Sequence, residues 1–201
     1  MFMMTQISDL VRIAPHDFNK ESIHAIEDSI NTKYANRLIK NIGLCISVRD
    51  ILSASEGLIG NLDGYVYVQV EFNMIVFRPF KGEVIQARIA SQSAEGMRLS
   101  TEFFEHIYVP HEFLPEGCEF IQTENAWVWH SDGEELYYDT NEIVRLKVVS
   151  EEWQNPPPAE LAESTDELLE ASQEIINQRP VWKIIGSMRE AGLGCYIWWD
   201  E

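Results

Sequence analysis

The chain has 201 residues, 45% hydrophobic and 11% aromatic, with a formal net charge of −18 at pH 7. That length allows one or two domains, each with its own core, and the composition is ordinary for a globular protein. The charge argues against a free-standing, high-affinity nucleic-acid binder, because neutralising phosphates requires Lys and Arg.

Residues 5–13 alternate weakly, with Ile7, Leu10, Val11 and Ile13, and read as an opening strand. Residues 15–37 read as a helix. Pro15 suits a first turn, and Ile23, Ile26, Ile30 and Tyr34 recur at steps of three and four on one face. A strand is expected over 43–50 and a glycine-rich turn region over 53–64. Residues 65–77 carry the strongest strand pattern, with Val66, Val68, Val70, Phe72 and Met74 at period two. Strand, helix, strands predicts a small α+β domain.

Phe77-Arg78-Pro79-Phe80-Lys81-Gly82 ends that pattern. Proline cannot donate a ladder hydrogen bond and glycine permits a turn, so this is a strand end and a hinge. Short strands then follow at 84–89, 98–100, 107–110, 126–129, 136–138, 143–152, 181–188 and 195–198, with a turn over 94–97 and a hairpin signal at Asp132-Gly133. This spacing predicts a small closed or partly open all-β barrel. Pro156-Pro157-Pro158 opens a break that ends at Pro180. Inside it, Ser164 and Glu167 have capping-box spacing, and a marginal helix over 165–177 and a solvated spacer are both open readings. Residues 151–178 hold eight acidic residues and no basic one, so the rest of the chain is less hostile to a nucleic acid than the total charge implies.

Cys45, Cys118 and Cys195 are widely spaced and lack a CxxC pairing, and read as buried or free thiols in a reducing compartment. No apolar run approaches the roughly 18 residues of a membrane helix, and the first residues lack the basic and apolar regions of a secretory signal. His106 and His111, beside Glu105 and Glu112, are spaced too loosely for a metal site of the HExxH kind and read as surface residues near a turn. No nucleophile elbow, Walker loop or GxGxxG string is present.

Several strings agree in order with one family: Tyr34-Ala35-Asn36-Arg37, Ile42-Gly43-Leu44-Cys45-Ile46, Val76-Phe77-Arg78-Pro79-Phe80-Lys81-Gly82-Glu83-Val84 and Glu95-Gly96-Met97-Arg98-Leu99-Ser100. Ala126-Trp127-Val128-Trp129, Leu136-Tyr137-Tyr138-Asp139-Thr140 and the closing Gly192-Leu193-Gly194-Cys195-Tyr196-Ile197-Trp198-Trp199 continue the agreement. Together they resemble the larger stalk subunit of RNA polymerase III, the counterpart of the larger stalk subunits of archaeal RNA polymerase and of polymerase II. The resemblance implies an N-terminal tip domain over 1–80 that docks on core polymerase subunits. It implies an OB-fold over 81–201, interrupted by an acidic insertion at 154–180. It also implies a smaller stalk partner, a part in initiation alongside initiation factors, and a nuclear, non-catalytic role without cofactor or membrane contact. The products of such an enzyme are tRNA, 5S rRNA and other small RNAs. The family loop that typically reads Gly-Asp-Gly is here Gly60-Asn61-Leu62-Asp63-Gly64, so Gly60, Asp63 and Gly64 are the expected docking residues.

A groove that binds single strands combines stacking aromatics with cations along the backbone path. Arg88 and Arg98 lie on the first barrel strands, Tyr108 on the third, and Lys147 and Lys183 on later ones, which makes these five the expected contacts to nascent RNA. The alternative places Tyr108 in the core and the cations in local salt bridges. Met97 and Leu99 stand where stronger RNA binders carry aromatics, so contact is expected to be weak. All six tryptophans lie in the second half. That exceeds what one small barrel core should hold, so at least two are expected at an interface. Arg78, Pro79, Phe80, Trp198 and Trp199 are the expected partner or interdomain contacts.

Overall fold

The computed structural model describes residues 1–60, 64–131, 133–154 and 182–199. The chain divides into two compact units, Met1–Pro79 and Phe80–Glu201. The described residues are mostly β, with a single α-helix in the first unit and a five-stranded barrel in the second.

The first unit contains β1 (Phe2–Ile13), α1 (Ser22–Tyr34), β2 (Leu38–Ile39), β3 (Gly43–Ala54), β4 (Leu58–Ile59) and β5 (Val66–Phe77). Its antiparallel sheet runs β1-β5-β3-β2, with β4 also beside β5. The period-two pattern of β5 becomes a buried face: Val68, Val70, Phe72, Met74 and Val76 share one core with Ala25, Ile26 and Ile30 of α1. Asp9 of β1 fastens the end of α1. It accepts hydrogen bonds from Lys33 and, at 2.7 Å, from the Tyr34 hydroxyl. Burial pushes the Asp9 carboxyl up, but the Lys33 and Tyr34 bonds outweigh it and hold the group below the usual carboxylate range.

The helix is shorter than residues 15–37. Pro15–Asp17 forms one separate 3-10 turn, α1 starts only at Ser22, and Asn36 ends it with φ 57, a left-handed conformation that asparagine tolerates. β3 runs past Asp50 into the expected turn region. Its register against β5 shifts at three points, between Cys45 and Ser47, Val48 and Asp50, and Ile51 and Ser53. Such bulges break the side-chain alternation that pattern reading depends on. The Asn31 side-chain oxygen on α1 accepts the Val48 N–H at 2.9 Å, within this irregular stretch.

The second unit holds β6 (Val84–Ser93), β7 (Gly96–Ser100), β8 (Ile107–Pro110), β9 (Cys118–Ile121), β10 (Ala126–Ser131), β11 (Glu134–Tyr137), β12 (Ile143–Trp153), β13 (Trp182–Ser187) and β14 (Gly194–Cys195). The pairings β6–β7, β7–β8, β8–β13, β13–β12 and β12–β6 close a ring. All are antiparallel except β8–β13. The interior is filled by Ile85, Ala87, Ile89, Met97, Leu99, Ile107, Val109, Val144, Leu146, Val148 and Ile184, all buried. A Cβ at Gly186 would lie 2.2 Å from Leu146 Cδ1, so glycine is what lets β13 sit this close to β12.

Between the third and fourth ring strands, β9, β10 and β11 make a separate three-stranded sheet. β9 has no counterpart in the pattern reading: four residues after Pro115-Glu116-Gly117 are too few to show a period. The expected strand over 195–198 is only Gly194–Cys195, followed by a 3-10 turn over Tyr196–Trp199. Gly194 has φ 97, and the Trp198 ring occupies the space its Cβ would need, 2.9 Å away. The expected acidic helix over 165–177 and Asp132 of the hairpin lie outside the described residues. β12 and β13, which flank the acidic stretch, face each other at Trp153 and Trp182, whose rings stack at 5.2 Å.

Candidate nucleic-acid interface

Strand pairing brings three of the five expected RNA contacts together. Arg98 on β7 is the register partner of Tyr108 on β8, and the parallel neighbour β13 sets Ile185 against Tyr108. Lys183 on β13 places its Nζ 4.1 Å from the centre of the Tyr108 ring. Tyr108 is half-buried and Arg98 exposed, while Ile107 and Val109 on either side of Tyr108 are buried, so the ring belongs to the outer face of the barrel rather than the core. Gly96 makes room for it: a Cβ there would lie 2.9 Å from the Tyr108 hydroxyl oxygen. Burial, and to a lesser degree Glu95, push the Tyr108 phenol above its ordinary range against the opposing charge of Arg98. The phenol is therefore neutral across physiological pH and acts as a ring and a hydrogen-bond donor.

The other two cations stand apart. Arg88 is exposed on β6, with its guanidinium donating to the Asn141 carbonyl at 3.3 Å. Lys147 on β12 pairs in register with Ser187, at the opposite end of the β12–β13 ladder from Lys183, whose partner is Glu152. Its ammonium is held by Glu190 at 2.6 Å. Met97 and Leu99 are fully buried and are not groove positions. The physical reason is the phase of β7: once Arg98 points outward, its two neighbours must point inward.

The tryptophans divide between core and partly exposed positions. Trp127 and Trp182 are core, and most of the others pack in pairs or clusters: Trp153 on Trp182, and Trp198 against Tyr138 at 4.6 Å and Trp129 at 5.5 Å. Trp127 donates to the Ser93 carbonyl, Trp129 to that of Glu116 and Trp199 to that of Leu193. Trp199 is 40% exposed and Ile197 beside it 66%, so the apolar surface of the closing turn is carried by these two rather than by Trp198. Phe80 is also exposed, its backbone N–H bonded to Glu83, and Arg78 is tied within the first unit, its N–H donating to the Met1 carbonyl and its guanidinium to that of Asn41. Pro79 is the last residue of the first unit.

In the first unit, Gly60 donates to the Tyr65 carbonyl at 2.9 Å and Gly64 adopts φ 70. They frame the loop between β4 and β5; Asp63 lies outside the described residues. Just before this loop Leu58 and Ile59 are 72% and 76% exposed. Sequence reading passed over these two aliphatics presented to solvent. The signal was there, an apolar pair between Gly57 and Gly60, but the glycines made the whole stretch look like turn.

Among the described residues no group of His, Cys, Asp and Glu could hold a metal ion, and no helix is long and apolar enough to cross a membrane. The three cysteines are free. Burial raises all three thiols, that of Cys118 to about 12, which makes them poor nucleophiles.

Comparison with known proteins agrees with this architecture. The family described as RNA polymerase III subunit Rpc25 matches residues 83–199, and the SHS2 domain found in the N terminus of Rpb7p and Rpc25p matches residues 8–65. The chain is 36% identical to DNA-directed RNA polymerase III subunit RPC8 of Saccharomyces cerevisiae, over 100% of both chains. It is 38% identical to the rpc8 protein of Schizosaccharomyces pombe over 99% of this chain and 100% of that one, and 34% identical to RPC8 of Bos taurus over 100% of both. With one family matching more than half of the sequence and full-length identity above 30% to relatives in three organisms, the chain belongs to the Rpc25 family of RNA polymerase III subunits.

Proposed function

We propose that this protein is the larger, non-catalytic stalk subunit of nuclear RNA polymerase III. The observation that carries the reading is full-length identity to polymerase III subunits together with the outward cluster of Arg98, Tyr108 and Lys183. The first unit is the tip domain, docking on core polymerase subunits through the loop of Gly60, Asp63 and Gly64 and the exposed Leu58 and Ile59 before it. The second unit is an OB-fold, read from its five-stranded ring with one parallel pair. It leans toward emerging RNA during synthesis of tRNA, 5S rRNA and other small RNAs. A smaller stalk subunit covers apolar surface such as Phe80, Ile197 and Trp199, and initiation factors reach the stalk while it is assembled on the core. Polymerisation needs a metal-binding carboxylate cluster, and that chemistry is assigned to another subunit.

Contact with RNA is weak and follows from magnitudes. The Lys183–Tyr108 cation–π contact is worth about 0.5–1 kcal/mol at an exposed site. A stacked base is worth about 1–3 kcal/mol, so a base displaces Lys183 from the ring and the ammonium turns to a phosphate. One ring and two cations on a chain of net charge −18 give a contact that depends on being held at the polymerase exit.

Replacing Leu58 and Ile59 together by Asp tests the docking half. Both side chains are exposed, so the fold should persist. The tagged variant is expected to retain the smaller stalk subunit and lose more than about tenfold of the core polymerase, since two desolvated aliphatics each contribute about 1.5–3 kcal/mol. Undiminished recovery of the core would remove this loop from the interface.

A further inference from the structure

A second ring stands close to Tyr108, on the residue just before β8. His106 precedes Tyr108 by two residues and is exposed, while Ile107 between them is 1% exposed. The exposed–buried–half-buried alternation of His106, Ile107 and Tyr108 continues the strand pattern one residue before β8 and puts His106 and Tyr108 on the same side. The His106 carbonyl accepts the Ile184 N–H at 2.9 Å, which holds the backbone here against β13. Its imidazole meets Phe104 edge-to-face at 5.7 Å, and Phe104 packs on the buried Trp182 at 4.9 Å. The ring is thus buttressed from beneath by an aromatic column while remaining open to solvent.

The charges around it come from each neighbouring element. Glu105 is adjacent on its own segment and Arg98 acts from β7. From β13, Lys183 lies over the neighbouring Tyr108, with Glu152 of β12 as its register partner, and Glu95 acts on Tyr108 from the β6–β7 turn. Burial holds the imidazole below the ordinary histidine range, with Glu105 opposing and Arg98 adding to the effect. Unbound, the ring is neutral near pH 7.

We infer that His106 is a second ring of the RNA platform: it stacks the base beside the one on Tyr108 and, once protonated, adds a cation for the phosphate between them. This rests on the RNA-facing reading of the second unit and specifies its ligand. Two residues of extended chain advance the backbone by about 6.6 Å, roughly twice the rise of about 3.4 Å per base in a stacked helix. The strand that fits is single and extended, with its bases unstacked from one another. A phosphate beside the imidazole favours the charged form, so binding raises the histidine pKa. By linkage, affinity must then rise as pH falls through the histidine range.

The test uses the full chain and a short fluorescein-labelled oligouridylate, with anisotropy read at about pH 8 and about pH 6. His106→Ala is expected to weaken binding about fivefold at the higher pH, the lower end for one stacked base. His106→Phe is expected to keep wild-type affinity at the higher pH and to lose the several-fold gain that the wild type shows at the lower one. That split separates a stacking, titrating ring from one that merely supports Phe104. If His106→Ala binds as the wild type does while Tyr108→Ala fails, the inference falls and the RNA reading stands. If His106→Phe keeps the pH gain, the proton is taken up elsewhere and the inference falls. If the wild type shows no binding at either pH, the inference falls, while the RNA reading, which needs the chain held at the polymerase, is judged by crosslinking in the assembled enzyme.

Discussion

Trp182→Ala is expected to destabilise the second unit by about 3–5 kcal/mol, the range for deleting a buried aromatic side chain. Trp182 is 1% exposed and opens β13. It stacks on Trp153 at 5.2 Å, packs on Phe104 at 4.9 Å and donates its indole N–H to Glu151 at 3.3 Å. No small neighbour can fill the void, because its contacts are themselves rings fixed on β12 and on the loop before β8. Against a typical domain stability of about 5–15 kcal/mol, the loss is a large fraction of the total. Trp182→Phe keeps a ring in place and should cost about half as much or less. Hydrogen exchange read by mass spectrometry resolves the effect by segment. Protection should fall in β8, β12 and β13 and persist in β1 and β5. Equal loss in both units would mean that the core of the second unit is not a separate cooperative element.

Replacing Arg98, Tyr108 and Lys183 together by Ala is expected to reduce crosslinking of nascent transcript to this chain by more than about tenfold, since the ring alone is worth about 1–3 kcal/mol per stacked base. Two lost phosphate contacts should also flatten the dependence of binding on salt by about 1.4 units of slope, the single-strand value. The variant should still assemble, because all three side chains lie on the outer face of the barrel. Lys147→Ala serves as the internal contrast. Its ammonium is already held by Glu190 at the far end of the ladder, so crosslinking should stay within about twofold of wild type. A triple variant that crosslinks normally, or a Lys147 variant that fails, would move the RNA path to another face.

How much of this was legible in the sequence depended on whether one face of a strand was buried without interruption. β5 was plain because Val68, Val70, Phe72 and Met74 all meet the core beneath α1. β3 was cut short because its bulges change which face each residue serves, and no period survives that. The start of α1 was misplaced because Pro15 is as compatible with a single 3-10 turn as with a helix. Composition could not show which tryptophans pack on one another, as Trp153 does on Trp182. At the site, Tyr108, Arg98 and Lys183 were each named correctly as strand residues. Only register could show that they converge while Arg88 and Lys147 do not. Met97 and Leu99 were weighed against the aromatics of stronger RNA binders, although alternation with Arg98 already placed them inward. The exposed pair Leu58 and Ile59 was passed over because flanking glycines read as turn, and the surface reading of His106 did not extend to its ring standing beside Tyr108.

The central claim is membership of an RNA polymerase III stalk, and it is tested most directly by tagging the chain at its genomic locus, purifying it gently and identifying the largest protein that co-elutes. The account predicts the largest subunit of RNA polymerase III, recovered with a smaller stalk partner in near-equal amount. Recovery of another polymerase's largest subunit, or of a chain that elutes alone, would contradict it.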